Sequence, residues 1–297
     1  MKLFHHPACH GARHEFETTR KPAWLVESLR NEPIAGASLA LGHLVEETTL
    51  CEVHEPAYVA AVREGEPYDL ACSQGFVWDI GLYESARASV GCLLDAARTA
   101  RREGIAGAIA NGFHHAKRHR GQGCCTFNGW AIAAKDALRE GAGRVLLLDL
   151  DAHCGGGTHS LIGDDSRLVQ LDISVSPVDG YRAHGANRLD LVRDPERYVE
   201  VLRQRLREQE GEAFGLCLYN AGVDVVETCD TGGLAGFSQK HLALREEEVF
   251  SWCRRRGLPV AFALGGGYCG PRLSPRGLVD LHRETFHAGA RHSLLGR

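Results

Sequence analysis

Asp151 and His153 stand two residues apart just beyond an apolar run, Val145 to Leu148, and Asp149 precedes them at the same spacing. On an extended chain, side chains two apart project to one face. Two carboxylates and an imidazole would therefore sit side by side, where carboxylates are costly unless something pairs with them. A carboxylate and an imidazole at a strand end suit a borderline cation such as zinc. Asp224 ends another apolar run, 214–224, and could close the set. Two carboxylates, one imidazole and an open position make a catalytic site rather than a closed structural one. The plainer reading of Asp-x-His is a cap or an ion pair. His114 and His115 follow a further run and are candidates for proton transfer; such a pair also occurs in surface loops and caps. Tyr268 follows Gly265, Gly266 and Gly267. Glycines let a chain pass close to a ligand, or simply build a turn with a packed aromatic. A dinucleotide loop is the poorer reading, because no G-x-G-x-x-G opens a helix there.

These residues need elements to position them. Five nearly continuous apolar runs read as buried strands: 105–112, 144–153, 167–174, 214–224 and 258–268. Continuity rather than alternation is the mark of parallel strands covered on both faces. Helical patterns lie over 82–104, 129–142, 194–211 and 238–257. The third opens with Asp194 as N-cap and Pro195 at the first helical position. The fourth starts at Ser238 and carries arginines in its last turn, as the helix dipole favours. The alternation predicts an α/β fold, a mainly parallel sheet with helices on both faces. Residues before 80 have weaker periodicity and read as an opening strand and helix plus long loops. With no repeat or linker, residues 1–297 read as a single domain. Ligands in such sheets gather at the carboxyl ends of the strands, and four of the five runs end in chemically rich sequence.

The net charge is −4, from 34 Lys and Arg against 38 Asp and Glu. That argues against a nucleic-acid binder that works by phosphate neutralisation. The 11 cysteines form no C-x-x-C pair, so a structural zinc ribbon is not expected. An odd count without regular spacing points to a reducing cytoplasm rather than a disulfide framework. No secretory signal and no stretch of transmembrane length is expected. The oligomeric state stays open.

Four motifs then define a resemblance: "GFHHAKRHRGQGCCTFNGWAIAA", "LLLDLDAHCGGGTH", "LYNAGVDVVETCDTGGL" and "LGGGY". In this order they resemble the zinc-dependent histone deacetylase and acetylpolyamine amidohydrolase superfamily, and most of all its class IV histone deacetylases. The resemblance spans residues 112 to 268 and is faint before residue 80. It implies the arginase–deacetylase fold and one zinc held by Asp151, His153 and Asp224. It implies His115 as general base and acid, with His114 and Asp149 tuning the electrostatics. Tyr268 would donate to the oxyanion beside the zinc, and the Gly123 carbonyl would accept the substrate amide N–H. Gly266 belongs to the substrate-contacting glycines. Main-chain carbonyls around Asp149, Asp151, His153 and Asp172 would hold a potassium ion. The implied substrate is an acylated lysine peptide or a small N-acyl amine, with no membrane partner.

Two departures from the family pattern stand out. Members usually carry Asp or Asn three residues after the metal-binding histidine, orienting the second catalytic histidine; here that residue is Gly156. His115 then has another partner, a water, or none, and if it is poorly oriented Gly156→Asn would raise turnover. Members also commonly place an aromatic where this chain has Cys124, which gives a smaller wall to the acyl channel unless Phe127 or Trp78 fills the gap. A ureohydrolase shares the fold but needs carboxylates for two manganese ions; residue 155 is Gly and residue 226 is Val. A zinc-retaining pseudoenzyme that binds acylated partners is the non-enzymatic alternative. Cys125 and Cys154 are either oxidisable thiols or small buried hydrophobes.

Overall fold

The computed structural model describes residues 1–11 and 17–294. The chain opens with β1 (Lys2–His5), α1 (Glu17–Asn31) and β2 (Ser38–Leu41), followed by α2 (Glu47–Leu50), α3 (Pro56–Glu64) and α4 (Tyr68–Ala71). Then come α5 (Ile80–Glu103), β3 (Ile105–Ala108), α6 (Gly129–Arg139), β4 (Val145–Asp149) and α7 (Gly156–Ile162). The rest is β5 (Leu168–Ser174), β6 (Arg188–Leu191), α8 (Pro195–Glu208), β7 (Leu216–Ala221), α9 (Gln239–Arg255), β8 (Val260–Leu264) and α10 (Pro275–Leu294).

Among the described residues, eight strands pair in parallel in one sheet, in the order β2-β1-β3-β8-β7-β4-β5-β6. The alternation inside β4 divides the core. Leu146 and Leu148 join the cluster built with α1, α8, α9 and α10. Val145 and Leu147 face the cluster built with α5 and α6. That second face is rich in alanine, with Ala106, Ala108, Ala261 and Ala263 on β3 and β8, which pack on α5 with its Ala88, Ala96, Ala97 and Ala100. Small side chains on both surfaces let helix and sheet approach closely, and close packing is where dispersion is gained.

The five apolar runs are β3, β4, β5, β7 and β8, each buried along its length. The four helical patterns are α5, α6, α8 and α9. Asp79 caps α5 by accepting from Gly81 N, and Asp194 caps α8 by accepting from Glu196 N. The sequence reading misses β2 and β6. Both are four-residue strands at the sheet edges with a half-exposed pattern; β6 alternates charged and apolar residues, and β2, though apolar, is short. It also misses α10, which packs on α1 and α9, and it takes α2–α4 as loop.

Candidate active site

Five strands release their chains at the same end of the sheet, and every residue singled out by its chemistry lies there. β4 and β7 are neighbours, with Asp149 in register with Asn220, so Asp151 and Asp224 leave the sheet side by side. One ligand atom from each of Asp151, His153 and Asp224 lies within 4.8 Å of the others, and all three residues are buried. His153 Nδ1 stands 3.2 Å from Asp151 Oδ1 and 3.1 Å from Asp224 Oδ2. Asp224 Oδ1 accepts from Ala152 N at 3.0 Å, whereas Oδ2 is buried and accepts no hydrogen bond. Burial opposes charge on His153, yet Asp151 and Asp224 outweigh it and pull the imidazole up to about 11. Two buried carboxylates facing one imidazole form a pocket of negative potential, the donor set that a divalent cation requires.

Gly266 is required by this convergence. A Cβ there would collide with the Asp224 carboxylate, while the Gly266 N–H donates to Asp151 Oδ2 at 2.6 Å. From the far side of the sheet, α9 contributes Arg245, fully buried and paired with Glu246 at 2.6 Å. Its Nη1 donates to the carbonyl of Leu150 at 2.9 Å, between Asp149 and Asp151. The turn that presents both acids is therefore held by an internal cation.

His114 and His115 lie beside these three residues, their ring centroids 3.9 Å apart. His114 Nδ1 hydrogen-bonds Asp149 Oδ2 at 3.0 Å, and Asn220 Nδ2 donates to Asp149 Oδ1 at 2.8 Å. Burial would keep His114 neutral, but Asp149 and Asp151 raise it to about 9. His115 moves the other way, lowered first by burial and then by the neighbouring His114. Adjacent groups driven apart in this way can divide acid and base work. Beyond them, Asp172 pairs with Asp149 in register and is completely buried, which with the Asp149 charge pushes its carboxyl well above the usual range.

His114, Asp151, Gly123, Cys124, Gly266 and Tyr268 line one small pocket. Gly123 and Cys124 form the tip of a hairpin closed by Gln122 and Cys125, with φ of +53° and +61°. Two positive φ values are what a tight two-residue hairpin demands; for a cysteine that is uncommon. A second small cavity shares Asn111, Gly112, Phe113 and Cys124 with the first and continues past Phe76, Leu82 and Phe127. Phe127 forms part of its wall, held among His54, Tyr58 and Tyr83. Trp78 packs against Gly65 and donates Nε1 to Val62 O, away from this wall.

Four residues at the site carried no usable sequence signal. Lys21 is a buried lysine of α1 whose Nζ donates to Gly265 O at 2.5 Å and which lines the same pocket. Asn220 lies inside a quoted motif, but nothing local marks it as the partner of Asp149. Arg245 looks like any surface arginine of an acidic helix. Asp179 is the fourth: its carboxylate Oδ2 stands 3.1 Å from His115 Nδ1.

A fully parallel sheet with helices on both faces and this cluster at its carboxyl end is the arginase–deacetylase fold. A profile described as "Histone deacetylase domain" matches residues 14–276, and the chain belongs to the histone deacetylase family. An uncharacterized protein of Picosynechococcus is 32% identical over 251 residues, 82% of this chain and 79% of its own. Histone deacetylase 2 of Arabidopsis thaliana is 30% identical over 272 residues, 86% of this chain and 67% of its own. Among solved structures, an acetylpolyamine aminohydrolase from Burkholderia pseudomallei superposes with a TM-score of 0.78 at 19% identity, covering 97% of this chain and 98% of its own.

Proposed function

We propose that this chain is a zinc-dependent amidohydrolase that releases acyl groups from N-acyl amines, foremost acyl-lysine, in a cytoplasmic setting. The supporting observation is one cluster: the converging ligand atoms of Asp151, His153 and Asp224 beside two adjacent histidines, each hydrogen-bonded to a carboxylate. The odd count of 11 cysteines without regular spacing supports a reducing compartment. The wording of the "DLDAH" and "NAGVD" motifs supports a class IV-like member. A potassium ion held by main-chain carbonyls around Asp149, Asp151, His153 and Asp172 belongs to the same reading.

Asp151, His153 and Asp224 would hold the zinc, which when bound supplies Lewis acidity that acidifies water and polarises an acyl carbonyl. His115, neutral at its lowered pKa, takes the proton from the attacking water and returns it to the leaving amine. His114, kept cationic by Asp149, adds positive charge beside the developing oxyanion. Burial and the Asp224 and Asp151 charges hold the Tyr268 phenol well above its usual pKa, so its hydroxyl stays a donor. The Gly123 carbonyl at the hairpin tip accepts the substrate N–H.

The small side chain of Cys124, where family members commonly place an aromatic, supports acyl groups longer than acetyl. Each buried methylene contributes about 0.8 kcal/mol, so three or four would outweigh the packing that an aromatic wall gives a lysine stem. The test combines zinc analysis with kcat/KM for acetyl-, butyryl-, hexanoyl- and myristoyl-lysine peptides, acetylputrescine and acetylspermidine. Hexanoyl or longer should exceed acetyl, and Cys124→Phe should reduce that preference. A steady fall with chain length removes the wide channel; turnover of the polyamines alone moves the substrate class; zinc without any turnover leaves an acyl-binding pseudoenzyme.

A further inference from the structure

Gly156 occupies the position from which a side chain would reach His115, and it has none to offer. The gap is closed from a different element. After β5 the chain runs beside the loop that follows β4: Val175 N and Ser176 N donate to Ala152 O, and Cys154 N donates to Val178 O. Gly180 N then donates to Pro177 O at 3.0 Å, closing a four-residue turn in which Asp179 takes a φ of +58°. Asp and Asn are the non-glycine residues that best tolerate that conformation. The turn sends the Asp179 side chain inward, and it is only 4% exposed.

There both carboxylate oxygens are fully used. Oδ2 faces His115 Nδ1 at 3.1 Å and accepts from Gly157 N at 2.9 Å. Oδ1 accepts from Gln122 Nε2 at 3.1 Å and pairs with Lys117 Nζ at 3.0 Å. Burial would raise this carboxyl, but the hydrogen bond from His115 and the Lys117 charge hold it below the ordinary range. The exchange of positions is reciprocal: a Cβ on residue 156 would collide with the main-chain oxygen of Asp179. Glycine at 156 is what lets the Asp179 turn reach the histidine.

We infer that Asp179 is the positioning residue of His115, taking over from the loop after β5 a task that residue 156 cannot perform. The inference rests on His115 being the proton-transfer group proposed above. An ionised Asp179 accepts only, so a neutral His115 carries its proton on Nδ1. Nε2 is then left bare and aimed into the site, the form in which it can take a proton from water. Gln122 and Lys117 hold the carboxylate, and Gln122 also closes the hairpin that carries Gly123 and Cys124. The carboxylate that orients the base is thus tied to the turn proposed to meet the substrate.

The test uses the zinc-loaded full chain and two variants that accept the positive φ. Asp179→Gly removes the carboxylate without straining the turn; Asp179→Asn keeps an oxygen acceptor in the same shape. In 15N-labelled protein, the His115 imidazole, assigned by its loss in His115→Gln, should be neutral and protonated on Nδ1 in the wild type and in Asp179→Asn. In Asp179→Gly it should become a mixture of tautomers. With an acyl-lysine peptide, kcat should fall roughly 10²-fold in Asp179→Gly, the scale of a misdirected general base. KM should change little, and Asp179→Asn should recover most of the loss. A wild-type proton on Nε2, a tautomer unchanged in Asp179→Gly, or a loss confined to KM overturns the inference. An Nδ1 proton lost only in Asp179→Gly, in a wild type that turns over nothing, supports Asp179 as the partner of His115 and removes the hydrolase reading instead.

Discussion

Asp224 Oδ2 is buried, accepts no hydrogen bond and lies 3.1 Å from the His153 nitrogen. A buried acceptor left in that state is costly, and a cation between the two groups removes the cost. Asp224→Ala should therefore lose zinc and turnover together, measured as metal per chain after gel filtration. Full occupancy in that variant removes Asp224 from the ligand set. Tyr268 lines the pocket bordered by Asp151 and His114 and keeps its proton. Tyr268→Phe should keep the fold and the zinc but lose about 10²–10³-fold in kcat, the usual worth of one oxyanion donor. Near-normal turnover would mean that another group holds the oxyanion.

The two loops that follow β4 and β5 work as a pair, fastened by main-chain hydrogen bonds between residues 152–154 and 175–178. This reverses an expectation from the sequence. Adding a side chain at residue 156 cannot improve the site, because the space already belongs to the Asp179 turn. Gly156→Ala must push that turn away from His115. We expect a loss of roughly 1–3 kcal/mol in stability, the range for forcing atoms into a packed region, together with a fall in kcat, read by urea unfolding and steady-state kinetics. Gly156→Asn should behave worse than Gly156→Ala. A stable, faster Gly156→Asn would show that the two loops separate at little cost.

Across the molecule, the parallel sheet places its carboxyl ends on one side, and the acidic groups clustered there include Asp149, Asp151, Asp172 and Asp224, all buried. Such a cluster works against folding until a cation arrives, so binding energy and folding energy are linked. Chelation of purified protein should lower Tm by roughly 5–10 °C, the size expected for a ligand held at about 1,000 times its Kd. Readdition of zinc should restore it. Calorimetry with and without chelator checks this; an unchanged Tm would show that the loop network, with Arg245 clasping Leu150 O, holds the apo site unaided.

The central strands were legible because burial on both faces leaves a local mark, an unbroken apolar run such as Val145–Leu148. Edge strand β6 is only half covered and alternates charged with apolar residues, so its composition carries no such mark, and the four-residue β2 lies where the periodicity is weak. The candidate ligands and paired histidines were legible because each group sits in a short motif at the end of a run. The partners of those groups were not. Asp149 could be assigned to His114 only through the resemblance, and Asn220, Arg245 and Lys21 follow from which strands and helices become neighbours. Asp179 is separated from His115 by 64 residues. Gly156 announced that a partner was missing, yet no local pattern shows where a replacement enters. Hydrophobic periodicity records the burial of each residue along its own element. Pairing of a buried carboxylate with an imidazole depends on two loops meeting in space, and that is settled by strand order and by the hydrogen bonds that lock one loop against the next.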